Sequence, residues 1–557
     1  MSLIPWLLLA LICLEHLIFV PALIKRSGGT AWHGYVPVLN SLAILKMNGR
    51  PWYWVIFLLF PGINLIMLTI MHVELGIVFG KRSTKEQLIM GALPWLGLAQ
   101  LAIGEKEYVG PRVWKKKSAV REWGEAILWA IIVASVVRTY TFETFTIPTG
   151  SMEGSMLVGD YLYVNKITYG PKVPQTPFTV PFIHNVLPRT LTKSYTSWFS
   201  LPYTRLPGIR SVERYDAVVF SFPPGDTAIT SVSLVGHNYY EKLRNLAIDE
   251  ARGDVINSIS ARLSEDSIKS LSVIKYSENT EKYLSKARYK LSKSPGLQAR
   301  PLDKKENYVK RCVGLPGETL SVVNRQLHIN GEAVENPEHL QHEYKVGISN
   351  QGKILKIRSL LDLTDLDFII QTDRSGRKNL YMEQTPDGYA TIIYLTKNEK
   401  EILEGSGLSL SVVVMEKDRY KGGLHMFPNT NLDEFKDWTP DDLGPIYIPE
   451  AGRTIELNQR NIDMYSRVIR VFENHTLDIS EEGVRIDGEI TTTYTFEQDY
   501  YWMMGDNRHN SADSRMWGFI PEDHVIGCAS FTWFSKQNVA QHGESKIRWN
   551  RMFKSVK

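Results

Sequence analysis

The stretch FTIPTGSMEGSMLVGDYLYVNK, Phe145 to Lys166, sets a small polar turn between an apolar segment and an alternating strand. Ser151 stands where the backbone bends, after Gly150, and a strand-forming run follows Gly159-Asp160. A lone serine in such a turn is ordinary turn chemistry, because its short hydroxyl side chain bonds the local backbone. Whether Ser151 is more than that depends on what lies to either side.

Downstream of Phe142 the texture is short alternating strands separated by Gly, Pro and Asn turns, as in DYLYVNKITYG, RYDAVVFSFPPGD and ETLSVVNRQLHINGEAV. Asn330-Gly331 and Asp487-Gly488 are hairpin signals, since a type I′ turn needs positive φ at both central residues. The fold class read from this pattern is a mainly β extramembrane domain of antiparallel sheets over 142–557. Between Tyr239 and Ser294 the segments become rich in Lys, Glu and Ser and read as surface helices, an insertion over about 227–300. A second, enlarged β insertion covers about 335–482. LPGETLSV…LHINGEAV (Leu315 to Val334) is echoed by IPEAGRTIEL…VRIDGEIT (Ile448 to Thr491), and shared turn rules explain two such copies better than a repeat does.

Upstream, Leu3 to Leu23 is long enough to span a bilayer, despite Glu15 and His16. Further apolar stretches run over Trp52 to Phe79, broken at Pro61-Gly62, over Leu88 to Ile103, and over Glu125 to Val137. The expected organisation is an N-terminal membrane module of about three spans over 1–110, then a basic linker and fourth anchor over 111–141. The N-terminus has no basic region before its apolar run and no small-x-small cleavage site, so it reads as an anchor. Lys25-Arg26 and the Arg112, Lys115-Lys116-Lys117 group belong in the cytoplasm, which puts everything after Val137 outside. Lys81-Arg82 falls on the wrong side in this topology. The short fourth span takes Trp129 and Tyr140 as interfacial anchors.

A net charge of +4 over 557 residues gives no argument for nucleic acid binding. Three scattered cysteines, Cys13, Cys312 and Cys528, make neither a disulfide framework nor a metal spacing, and a bridge between the last two is left open.

Two more stretches are over-specified for a plain β body. In Tyr308-Val309-Lys310-Arg311-Cys312 an alternating strand runs into a Pro316-Gly317 turn, so Lys310 shares a face with Tyr308 and Cys312 while Arg311 points the other way. Two adjacent basic residues on such a strand mean that one points inward, where an amine needs a partner or loses its proton. The other stretch, MGDNRHNSADSRMWGF (Met504 to Phe519), is dense in Asp, Asn, Arg and Ser. Its spacing does not fit an EF-hand. Together the three stretches hold a hydroxyl, a base and polar groups to orient the base. His509 sits among charged loop residues, so Lys310 is the better base, provided that burial lowers its pKa by several units.

In their order, and with a span just upstream, these stretches resemble the signature boxes of bacterial type I signal peptidases, membrane-bound Ser/Lys proteases that remove signal peptides from exported proteins. The resemblance covers the fourth span through Pro223, then Asn307 to Val334, then Ile486 to Ser535. It implies Ser151 as nucleophile and Lys310 as general base, acting through an acyl-enzyme after small-x-small residues. It further implies Ser511 as the residue that orients the lysine, Thr149 as a side-chain donor to the oxyanion, and Asp513 with Arg515 as a bracing ion pair. Asp506, Asn507 and Arg508 match scaffold positions. Phe145, Ile147, Pro148, Met152, Met156, Tyr308 and Val309 match the lining of shallow pockets for small side chains. No metal or cofactor is implied. The expected partners are signal peptides of preproteins and the lipid bilayer, not nucleic acid, and the expected location is a bacterial inner membrane, multi-pass, with the catalytic domain extracytoplasmic.

Gly154 stands where that family commonly has proline, and both insertions exceed its compact form. The N-terminal portion, with GYVPVLN and GRPWYW, is similar to a small membrane module fused to other bacterial proteins. A relative of self-cleaving repressors fits less well, because four apolar segments replace a DNA-binding helix. The non-enzyme alternative is a catalytically inactive membrane-tethered β scaffold or assembly factor, against which stands the presence of every catalytic group.

Overall fold

The computed structural model describes residues 4–60, 63–111, 119–190, 192–229, 239–258, 264–293, 297–364, 367–372, 378–415, 426–430, 433–480, 483–537 and 546–556. The basic group at 112–118 and the Pro61-Gly62 break therefore lie outside the described residues. Two compact units emerge, one of residues 1–141 with 171–206, the other of 142–170 with 207–557.

The first unit is helical, with helices Ile4–Arg26, Pro37–Asn48, Ile63–Val78, Thr84–Ala92, Pro94–Ile103 and Ala119–Tyr140. Leu23, Ile44, Met67, Met71, Leu75 and Leu98 form its core. Gly76 and Gly97 let helices close on Met90, whose atoms lie 2.8 and 2.6 Å from where each glycine's Cβ would be. Among the described residues one helix segment, Glu122–Tyr140, is long and apolar enough to cross a membrane by length and composition. Ile63–Val78 and Pro94–Ile103 are shorter apolar helices. Trp129 packs on Trp54 and Phe57, and Tyr140 on Phe60, so both aromatics seal the helical unit itself. Residues 171–206 form a long antiparallel excursion, bridged at Lys172–Arg205, Thr179–Tyr195 and Val186–Lys193.

The second unit is built on an eight-stranded sheet. Its strands are β1 (Phe142–Thr146), β2 (Asp160–Asn165), β3 (Ala217–Ser221), β4 (Asn307–Gly314), β5 (Tyr500–Met504), β6 (Ile520–Pro521), β7 (Val525–Ser535) and β8 (Lys554–Ser555). The order is β1-β2-β7-β3-β4-β5-β6, with β8 on β7, and all pairs are antiparallel. Successive residues of β3 fall into different cores. Val218 and Phe220 join Cys312, Met503 and Val525, while Ala217 and Val219 join Ile147, Met156, Leu162 and Ala529. A sheet covered on both faces needs continuous apolar strands, which is why AVVFS does not alternate.

A smaller sheet of Leu443–Tyr447, Thr319–Val323, Gln326–Ile329 and Glu332–Ala333 stands beside it. Both hairpin signals form the turns expected of them, with φ of 53° and 87° at Asn330-Gly331 and 51° and 88° at Asp487-Gly488. The echoed stretches pair differently, however. Thr319–Val323 pairs with the strand after it, whereas Thr454–Glu456 pairs with Thr493–Thr495. The likeness is one of turn chemistry.

Three helices, Tyr239–Ser258, Glu265–Glu278 and Thr280–Ser292, make the helical insertion around Leu243, Ala247, Ala251, Tyr283 and Ala287. A second inserted subdomain is α+β, with an all-antiparallel sheet. Strands Glu383–Thr385, Gly388–Thr396, Gln341–Ile348 and Ser411–Val414 carry helices Lys353–Leu361 and Lys397–Gly405 over a core of Val346, Ile357, Ile393, Leu395 and Leu403. Cys312 and Cys528 are free thiols.

Candidate active site

Ser151 lies in a single helical turn, Gly150–Met152, between β1 and β2. Lys310 comes from the middle of β4, where it stands opposite Val218 and Tyr308 stands opposite Phe220. The Lys310 Nζ donates a hydrogen bond of 2.5 Å to Ser151 Oγ across 159 residues of chain. Lys310 is 2% exposed. Burial pushes its pKa down to about 8, against the opposing pull of Asp513 and Asp506 and with help from Arg515. Net of the carboxylates' pull, that shift disfavours the ammonium by about 3 kcal/mol.

One inward basic residue was expected on this strand, and the structure buries two. Arg311 is 1% exposed. Its guanidinium forks onto Asp506 at 2.8 and 2.7 Å and donates to Tyr215 O at 2.8 Å. A buried guanidinium is tolerated when a carboxylate meets it bidentately. Asp506 also accepts from Ser155 Oγ at 2.6 Å, so one carboxylate ties the residue next to Lys310 to the turn that carries Ser151. The neighbouring Asn507 N–H donates to the Ser151 carbonyl at 3.2 Å, while the Asn507 side-chain amide is buried without a partner.

Asp513 receives the Arg515 guanidinium at 2.9 Å on each oxygen and the Gly505 N–H at 3.0 Å. Arg515 then holds the Arg508 and Pro440 carbonyls. Arg508 is buried with Nε and Nη2 unpartnered, and its pKa falls to about 10 through desolvation first and Arg515 second. The Ser511 hydroxyl is buried and lies beside Asp513, whose carboxylate it helps to keep charged, so the bond to Lys310 expected of it is not formed here. Thr149 is exposed, and its hydroxyl does not cap the turn that follows.

The residues expected to line the pockets divide between two cores. Ile147, Met152 and Met156 are buried in one, with Phe145 and Val309 packed at its margin. Tyr308 belongs to the other, where its ring meets Phe222 and Trp517 at 4.5 and 6.0 Å. Pro148 is exposed. His509 is committed elsewhere, between Asp441 at 2.7 Å and the Glu343 N–H at 3.1 Å.

Two further residues belong to the site. A Cβ on Gly505 would stand 2.3 Å from Ser511 Oγ and 2.5 Å from Ser151 O, so only glycine lets that loop lie against the turn. Glu153 is 2% exposed and its pKa is pushed up to about 8, by burial first and by Asp367 second. Nothing in the string SMEG distinguishes this carboxyl from a solvated one. The glycine of MGD could have been flagged only as a possible close approach.

The family described as "Signal peptidase, peptidase S26" matches residues 120–365 and 451–534, more than half of the chain. Residues 32–111 match a family of unknown function, DUF5684. Similar curated proteins include signal peptidase I of Haemophilus influenzae, 21% identical over 79% of this chain and 77% of that one. Signal peptidase I of Rickettsia massiliae is 28% identical over 32% of this chain and 60% of that protein. That of Helicobacter pylori is 35% identical over 14% of this chain and 30% of its own length.

Two outcomes follow from the geometry. Gly505→Ala pushes the Ser151 carbonyl or Ser511 aside, so turnover drops at least tenfold while the protein still folds, measured as kcat beside thermal unfolding of the full chain. For Glu153, the folded pKa lies above the unfolded one, so its stabilising contribution is full below pH 4.5 and is lost as pH rises through about 8. Glu153→Gln therefore leaves the melting temperature near that of the parent at pH 4 and raises it relative to the parent at pH 9.

Proposed function

Because this chain belongs to the signal peptidase family, peptidase S26, we propose that it is a membrane-anchored serine endopeptidase that removes signal peptides from exported preproteins after small-x-small residues. The observation that carries the reading is the buried amine of Lys310 at 2.5 Å from the Ser151 hydroxyl.

In this mechanism Ser151 is the nucleophile and Lys310 the general base. With a pKa of about 8, roughly one Lys310 in ten is uncharged at pH 7, enough to take the Ser151 proton as Oγ attacks the scissile carbonyl. The leaving amine then receives that proton, and an acyl-enzyme remains on Ser151. Water deprotonated by the same amine releases it. The developing oxyanion is met by the Ser151 backbone N–H and the Thr149 hydroxyl, which is uncommitted to capping and exposed. Ser511, buried beside Asp513, is the polar neighbour that turns toward the amine once Lys310 is protonated. Asp506, Asn507, Arg508, Asp513 and Arg515 hold the loop beneath.

The substrate docks as an added strand. β1 lies at one end of the sheet order and pairs only with β2 among the described residues, so its outer edge offers backbone groups that lead into the Ser151 turn. Phe145, Ile147, Pro148, Met152, Met156, Tyr308 and Val309 line the two small pockets, which is why alternate substrate side chains must be small.

The organisation we favour has membrane-module residues 1–110, an anchor over 111–141 and an extracytoplasmic catalytic domain over 142–557. Four apolar stretches support four spans in a bacterial inner membrane, although among the described residues only Glu122–Tyr140 meets the length and composition for crossing.

Ser151→Ala and Lys310→Met each lower preprotein cleavage at least a thousandfold. The folded pKa of Lys310 lies below its unfolded value, so the charged amine penalises folding most below about pH 8. Lys310→Met is therefore inactive yet melts no lower than the parent at pH 7. In the parent, kcat/KM rises with pH through about 8 as the amine loses its proton. Undiminished cleavage in either variant contradicts the reading.

A further inference from the structure

The α+β insertion reaches the nucleophile's surroundings by two contacts and, underneath, by one through-space charge, none of which the reaction above employs. Gln341 opens its first strand and faces the loop after β5. The Gln341 N–H donates to Asp506 O at 3.0 Å, and its carbonyl accepts the Arg508 N–H at 2.9 Å. This parallel bridge brackets Asn507, whose own N–H holds the Ser151 carbonyl at 3.2 Å. The second contact falls on the nucleophile's turn. Gly154, at φ 95°, admits the His339 carbonyl to within 2.5 Å of where a Cβ would be. The charge lies underneath. The buried Gln341 amide donates to Asp367 Oδ1 at 3.3 Å, and Thr364 holds the other Asp367 oxygen at 2.7 and 2.9 Å. Asp367 in turn is the principal charged neighbour of the buried Glu153.

The loop after β5 is fixed in part by its own Asp506, Asp513 and Arg515. Asn507 and Arg508 leave side-chain polar atoms unpartnered, so backbone bonds from Gln341 do what those side chains do not. Movement of that loop is transmitted at both ends of the dyad, through Asn507 to Ser151 and through Asp506 to Arg311, the neighbour of Lys310.

We propose that His339, Gln341 and Asp367 of the inserted subdomain are positioning residues for the Ser151–Lys310 pair, clamping the loop after β5 against the nucleophile's turn. The proposal rests on the Ser/Lys reading above. A displacement near 1 Å at such a pair costs about a hundredfold in rate. Substrate affinity, which is set at the β1 edge, is spared.

The test uses the full chain in detergent with a secretory preprotein, counting active enzyme by burst titration. Gly154→Ala wedges the contact from the turn side, and Gln341→Pro removes the N–H that reaches Asp506. Both are expected to lower kcat at least tenfold with KM changed less than twofold. Both should also move the acid limb of kcat/KM upward, as water reaches Lys310. The charged groups facing Lys310, Asp506, Asp513 and Arg515, are unaltered in these variants, as are Glu153 and Asp367 at the turn. Lys345→Ala, which breaks only the outward pair with Glu383, keeps parental kinetics. Parental kcat and acid limb in both wedge variants overturn the proposal, as does a loss of melting temperature with unchanged turnover per active site. Should either variant not fold, Leu403→Ala loosens the insertion's core from a distance. Hydrogen exchange over 505–511 then accelerates if the insertion holds the loop, and an unchanged rate refutes it. Residual cleavage by Ser151→Ala would instead count against the dyad itself.

Discussion

A lysine amine 2% exposed, with a serine hydroxyl as its hydrogen-bond partner, is the constraint that the surrounding structure serves. An ammonium in that position would draw the nearest carboxylate to itself, and such a pair would hold its proton through any useful pH. Two carboxylates are near enough to pull the Lys310 pKa upward, Asp513 and Asp506. Each is already forked onto a guanidinium, Asp506 onto Arg311 and Asp513 onto Arg515. Buried ion pairs of this kind add little net stability. What they do here is occupy the acids, so that desolvation decides the protonation of Lys310.

The same arrangement explains why the neighbourhood tolerates poorly satisfied groups. The Asn507 amide, two guanidinium nitrogens of Arg508 and one oxygen of Glu153 are all buried without partners. Each is unfavourable alone. They cluster around one reactive pair, where stability yields to function, and the wider scaffold compensates. That scaffold includes a sheet apolar on both faces and an inserted subdomain with its own core.

Much of this was legible in the residues. Alternation gave the antiparallel strands, Asn330-Gly331 and Asp487-Gly488 gave their turns, and Lys/Glu-rich texture gave the inserted helices. What could not be read was pairing over long separations. The period of a strand says which way Arg311 points but not that Asp506, 195 residues later, waits there to neutralise it. For that reason one inward basic residue was expected where two occur. Nor does the sequence near Glu153 show that Asp367, more than two hundred residues later, becomes its main charged neighbour, in an insertion that read as a β enlargement and folds as α+β. Residues 171–206 showed no signal that would group them with the helical unit.

The central claim concerns the charge on one nitrogen, and lysine-selective 13Cε labelling of the full chain measures it most directly, with the Lys310 resonance assigned by its absence in Lys310→Met. The account predicts a titration midpoint near 8. A midpoint at the ordinary lysine value near 10.5 would mean that the amine stays charged beside Ser151, and would contradict it.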